Sequence, residues 1–182
     1  YLVGDIMKNT LKAAICGILS ALSVLLLFFG GASFVFAYIM PMVTGLIMII
    51  LKRTCGTSWA ITSFVSVSFL SFMLVADREC VLMYILFFGY YPILYSSIEK
   101  IGSKLIRLAV KLAVFNIMIT VVQLLLVYIF GIPFLEEGTG KIFIPVFALL
   151  MNVMFIIYDM LINRLTLLYK FKLEKRIKKY FK

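Results

Sequence analysis

The chain has 182 residues, 64% of them hydrophobic and only 14% charged, with a mean hydropathy of +1.14 and a formal net charge of +10. Soluble domains carry roughly 45–50% apolar and about 25% charged residues, so this composition excludes an ordinary soluble fold. There is no histidine, which removes Ser-His and Cys-His catalysis and the commonest transition-metal ligand together; no enzyme activity, metal or cofactor is expected.

Six apolar runs of spanning length alternate with short polar gaps. They predict an all-α integral membrane protein, one domain over 1–182 forming a compact six-transmembrane-helix bundle. The first span is predicted over 11–29, about 28 Å of helix, and Gly30, Gly31 and Ser33 end it. Its length, and the second run close behind it, mark it as a span rather than a cleavable signal. The second span covers 34–51, carries Pro41, and ends at Lys52-Arg53. After a turn over 54–57 the third covers 58–76, with Trp59 as an interface anchor. Asp77-Arg78-Glu79 forms an abrupt polar turn. The fourth span, 80–98, holds Gly89, Tyr90, Tyr91 and Pro92 near its middle, which predicts a kink.

Lys100, Lys104, Arg107 and Lys111 follow at spacings of four, three and four, opposite Ile101, Leu105, Leu108 and Leu112. That pattern predicts an amphipathic segment between spans four and five, lying on the inner membrane surface or docking on a partner. The fifth span covers 112–130. A loop with Pro133, Glu136, Glu137, Gly138 and Gly140 leads to the sixth, 142–163. A basic tail, 164–182, is expected to be helical at the membrane surface.

Charge orients the bundle. Every Lys and Arg except Arg78 and Lys141 lies before or at the opening of the first span, or follows the second, fourth or sixth. Positive charge is retained on the cytoplasmic side, so a multi-pass protein of the bacterial cell membrane is expected, with both termini cytoplasmic (N-in/C-in). The basic residues then face anionic lipid rather than nucleic acid. Cys16, Cys55 and Cys80 have no CxxC spacing and fall at different depths in this topology, so no disulfide is expected.

Few residues inside the spans offer chemistry. Ala13, Gly17 and Ala21 recur every four residues and make a slowly turning flat strip, suited to packing within the bundle or to a partner helix. Polar groups are Thr44, Asn116, Thr120, Gln123, Asn152 and the serines Ser63, Ser66, Ser68 and Ser71. Ser63 and Ser66 share a helix face with Ser71 at its edge, and Ser68 lies opposite. Gln123 and Asn152 either join helices or line a ligand cavity between spans five and six. Tyr84, Tyr90 and Tyr91 are stacking surfaces or core. Tyr84, Tyr91, Gln123 and Asn152 are the substrate-binding candidates. Asp159 is the one acid inside a span, where a central carboxylate costs about 2.5–3.5 kcal/mol. Its closeness to Arg164 reads as interfacial. No set of charges crosses the bilayer, which argues against a proton relay or an ion channel.

The segment LKAAICGILSALSVLL, from Leu11 to Leu26, resembles the opening helix of the substrate-binding S components of energy-coupling factor (ECF) vitamin transporters. The segment YIMPMVTGL around Tyr38, Pro41, Gly45 and Leu46 is similar to their second-helix region. The resemblance implies that Ala13, Gly17 and Ala21, with Gly in place of one Ala, dock on the transmembrane coupling subunit. It also implies two ATPase subunits, an outward-facing pocket for a small organic micronutrient, and uptake by toppling. Metal-transporting members use an N-terminal histidine, so a metal cargo is not expected here. A non-transporting scaffold, such as the MreD-like component of the bacterial cell-elongation machinery, shares the size, helix count and basic flanks.

Overall fold

A computed structural model describes residues 9–32, 34–131 and 143–169. The loop residues Pro133, Glu136, Glu137, Gly138, Gly140 and Lys141, and the tail from Lys170 on, lie outside the described residues. The described chain is all helix, with no strand among those residues. Its elements are α1 (Asn9–Gly30), α2 (Phe34–Cys55), α3 (Thr57–Leu74), α4 (Arg78–Met83), a π turn (Tyr84–Phe88), α5 (Tyr91–Ile98), α6 (Lys104–Tyr128) and α7 (Phe143–Leu168). Counting α4, the π turn and α5 as one interrupted span, six segments are long and apolar enough to cross a membrane, the layout of a multi-pass membrane protein.

Two spans form the centre. Buried residues make up 56% of the most apolar stretch of α2 and 61% of that of the interrupted α4–α5 span, against 22% for each of the other four spans. The outer four therefore present Ile18, Phe28, Val65, Phe69, Ile117 and Leu149 outward. That arrangement is stable where the surrounding solvent is as apolar as the side chains.

Glycines set the closest approaches. Gly56, with φ +104° and ψ 170°, follows α2 in an extended backbone conformation that side-chain-bearing residues rarely adopt, and its N–H reaches the Lys52 carbonyl at 3.1 Å. This freedom lets the chain turn directly into α3. A Cβ on Gly45 would collide with the Phe88 carbonyl and the Tyr158 hydroxyl. Phe88 is the residue whose carbonyl Pro92 leaves without its usual helical donor, since proline has no N–H. Tyr158 on α7 donates to that carbonyl instead, at 3.3 Å. The predicted kink is thus a π turn, in which the Gly89 N–H bonds the Tyr84 carbonyl at 2.7 Å. α2 and α7 close around it.

Several boundaries differ from the sequence reading. α2 runs past Lys52 and Arg53 to Cys55. The Lys52 ammonium donates to the Ile93 carbonyl and to Ser96 Oγ, each at 2.5 Å, so it sits over the last turns of α5. A cation there meets the negative end of the helix. The amphipathic segment is no separate surface helix. Lys104, Arg107 and Lys111 belong to the first two turns of α6, which runs unbroken to Tyr128. A helix with satisfied backbone bonds continues through amphipathic and apolar sequence alike, because the change of side-chain character does not interrupt the i→i−4 ladder. On α3 the inward residues are Ala60, Ser63, Val67 and Ser71, while Ser66 is exposed. The Cys55 thiol reaches back to α1, donating to the Lys12 carbonyl at 3.9 Å, and all three cysteines are free and buried.

Candidate functional site

Polar side chains gather at the two ends of the bundle. Where α5 passes into α6, Lys111 is 3% exposed and donates to Glu99 Oε1 at 2.7 Å. It also donates to both oxygens of Asp159 on α7, at 2.9 and 2.8 Å. Tyr91 Oη donates to the same Asp159 Oδ1 at 2.6 Å, and the Lys111 ammonium lies 4.5 Å from the Tyr95 ring centre. Arg107 closes the set with a 3.1 Å contact to Glu99 Oε2. Burial alone would raise the Glu99 carboxyl. The Lys111 hydrogen bond and charge, the Arg107 charge and the Tyr95 hydrogen bond outweigh it and hold the group below the usual glutamate value.

Asp159 is therefore no free interfacial carboxylate, and Lys111 no surface cation. Each answers the other across two helices, which removes most of the cost of a lone charge in a low-dielectric site. Above them lies an aromatic column. Phe115 stacks on Phe155 with centres 4.6 Å apart, and Phe87 stacks on Tyr91 at 4.7 Å. Phe87 meets Phe115 and Phe155 edge-on. This packing fills the centre between the π turn, α6 and α7 with rings.

At the other end, Asp77 caps α4, accepting from the Glu79 and Cys80 amides at 3.0 and 3.2 Å. Glu79 Oε1 accepts from Tyr38 Oη at 2.6 Å and from Gln123 Nε2 at 3.0 Å, joining α4 to α2 and α6. No cation pairs with Glu79 among the described residues. Neighbouring Arg78 turns away, donating to the Phe72 carbonyl at 2.6 Å and lying over the Phe72 and Phe130 rings.

The four substrate-binding candidates have four different surroundings. Tyr91 holds Asp159. Gln123 holds Glu79. Asn152 and Asn116 exchange reciprocal amide hydrogen bonds of 2.8 and 3.0 Å between α7 and α6, and each also donates to its own helix. Tyr84 is fully buried against Phe64, and its hydroxyl has no partner among the described residues. A polar cavity of about 170 Å³ involves Glu99, Lys104, Arg107, Lys111, Asp159 and Asn163. An apolar groove of about 360 Å³ runs along α3 beside Phe64, Ser68 and Ile85. None of the four candidates lines either one.

The small-residue strip has a definite placement. α1 packs inward through Cys16, Ser23, Leu27 and Gly30, and Ala13, Gly17 and Ala21 are all exposed. A Cβ added to Gly17 would meet no atom within 4 Å. Packing among the described residues does not use this strip.

Sequence reasoning missed the Lys111–Asp159 pair and the Tyr38–Glu79–Gln123 cluster. One signal was available: Asp159 is the one acid within the spans predicted from sequence, and Lys111 is the last cation before the fifth apolar run. The chain matches no protein-family model, no curated protein and no solved structure.

Proposed function

We propose that this protein is the substrate-binding subunit of an ECF-type importer in the bacterial cell membrane, with both termini cytoplasmic. It captures a small organic micronutrient on the outer side and passes it through a complex with a transmembrane coupling subunit and two ATPase subunits. The observation that carries the reading is the exposed Ala13–Gly17–Ala21 strip. In lipid, where no hydrophobic effect draws helices together, a strip of small residues lets a partner backbone come close enough for dispersion and weak polar contacts to hold it. In this orientation Tyr38, Glu79 and Gln123 lie at the outer end and offer a carboxylate and an amide to an arriving solute.

A second reading, a scaffold of the MreD-like kind, is favoured by one specific observation: the ring packing of Phe87, Phe115 and Phe155 leaves the centre filled. A scaffold needs a partner face and no cavity. Native mass spectrometry on gently extracted protein separates the two. A retained small organic molecule together with a pair of ATPase subunits supports transport. Cell-wall enzymes with no bound small molecule support the scaffold and overturn the importer.

A further inference from the structure

The first turn of α6 is electrostatically incomplete. A helix N-terminus carries roughly half a positive charge and favours acidic residues, yet α6 has none in its first turn. It opens with Lys104, and Arg107 follows one turn later. Ser103, at the N-cap, makes no side-chain capping bond. Three cations and two carboxylates line the adjoining cavity of about 170 Å³. The carboxylates are already engaged: Asp159 by Lys111 and Tyr91, and Glu99 by Lys111 and Arg107. Lys104 has no ion-pair partner, and Asn163 no hydrogen-bond partner, among the described residues. The site therefore holds uncompensated positive charge, a positive helix end and spare donors in one concavity.

We propose that this cavity binds the phosphate of an anionic phospholipid. Lys104, the remaining guanidinium N–H groups of Arg107 and the Asn163 amide supply the donors, together with the uncapped first-turn amides of α6. A lipid, rather than a soluble phosphate, fits the surroundings. Leu108 lines the cavity, and Leu105 and Ile106 beside it are 81% and 59% exposed, so acyl chains lie against apolar surface while the headgroup meets the cations. Basic pockets between spans at the membrane interface take anionic headgroups for the same reason. The bound phosphate completes the charge that the sequence leaves open at this helix end. The inference is independent of the transport reading and stands or falls on lipid binding alone.

The test is native mass spectrometry of the full chain in detergent, with phosphatidylglycerol and phosphatidylcholine supplied in equal amounts. The wild type is expected to retain phosphatidylglycerol preferentially. Lys104→Ala is expected to lower that retention about fivefold, the worth of one interfacial cation, and Lys104→Arg to keep it. Lys100→Ala serves as a control, because Lys100 is exposed just before α6 and does not line the cavity. Equal retention of the two lipids overturns the proposal, as do equal losses from Lys104→Ala and Lys100→Ala. Displacement of the lipid by millimolar inorganic phosphate would reassign the site to a soluble anion and overturn the lipid assignment.

Discussion

Lys111 on α6 donates to both carboxylate oxygens of Asp159 on α7, at 2.9 and 2.8 Å, while Tyr91 from α5 completes the carboxylate. Three helices are therefore joined by one ion pair whose lysine is buried and whose aspartate is partly exposed. Such a pair contributes less than its Coulomb attraction suggests, because both charges lost their hydration, but breaking it leaves a charge with no partner.

Lys111→Met alone is expected to destabilise the protein by about 1–3 kcal/mol, since the partly exposed Asp159 loses its counter-charge and Glu99 one of its two. The double variant Lys111→Met/Asp159→Leu is expected to recover most of that loss. Thermal unfolding in detergent measures both, and a double variant less stable than Lys111→Met would refute the pairing.

Glycine at position 45 is required by its neighbours. Gly45→Ala forces the Phe88 carbonyl and the Tyr158 hydroxyl apart and is expected to cost about 1–3 kcal/mol by overpacking. Gly17→Ala, made in open space, is expected to be neutral or slightly stabilising, because alanine favours the helix by up to about 1 kcal/mol. Equal melting temperatures for the two variants would contradict the packing described around the π turn.

The lowered Glu99 pKa sets an acid limit. The unfolded chain takes up the Glu99 proton near the ordinary value of 4.5 and the folded chain only at lower pH. The contribution of this group is therefore complete above that value and is lost as the pH falls through the folded pKa. Unfolding measured between pH 6 and pH 3 is expected to show this loss in the wild type and a shallower slope in Glu99→Gln. Identical slopes would mean that Glu99 is not held by Lys111 and Arg107.

The native cysteines cannot report orientation, since Cys55 is 3% exposed and Cys80 fully buried. Introduced ones can. Ala76 and Ser103 are exposed in the links on either side of the interrupted span. In intact cells an impermeant thiol reagent is expected to label Ala76→Cys, and to label Ser103→Cys only after permeabilisation. The opposite result would invert the topology.

The spans were legible in the sequence because their cause is local. Length and apolar content decide whether a segment spans a membrane, and the glycine at 56 and the proline at 92 announce their own breaks. The join between Lys104 and Leu112 was misread for the same local reason: charged and apolar stretches look like two elements, while the backbone ladder makes them one. The sites were less legible because their partners lie far apart in the chain. Tyr38 meets Glu79 at a separation of 41 residues and Lys111 meets Asp159 at 48. No helical period carries such pairings; only reading the single in-span acid against the last cation before the fifth run points at one of them. The α1 strip was visible as spacing, but its outward placement depends on Cys16, Ser23 and Leu27 taking the buried face.

That placement is the most direct route to a test. Gly17→Leu puts a bulky side chain where an added Cβ meets nothing within the bundle, so the fold should tolerate it while a close-packed partner should not. The measurement is affinity purification of wild type and Gly17→Leu from gently solubilised membranes, with their melting temperatures compared. The predicted result is a transmembrane subunit and two ATPase subunits recovered with the wild type and lost from the variant at unchanged melting temperature. Recovery of the same partners by both, or of no ATPase by the wild type, would contradict the assignment.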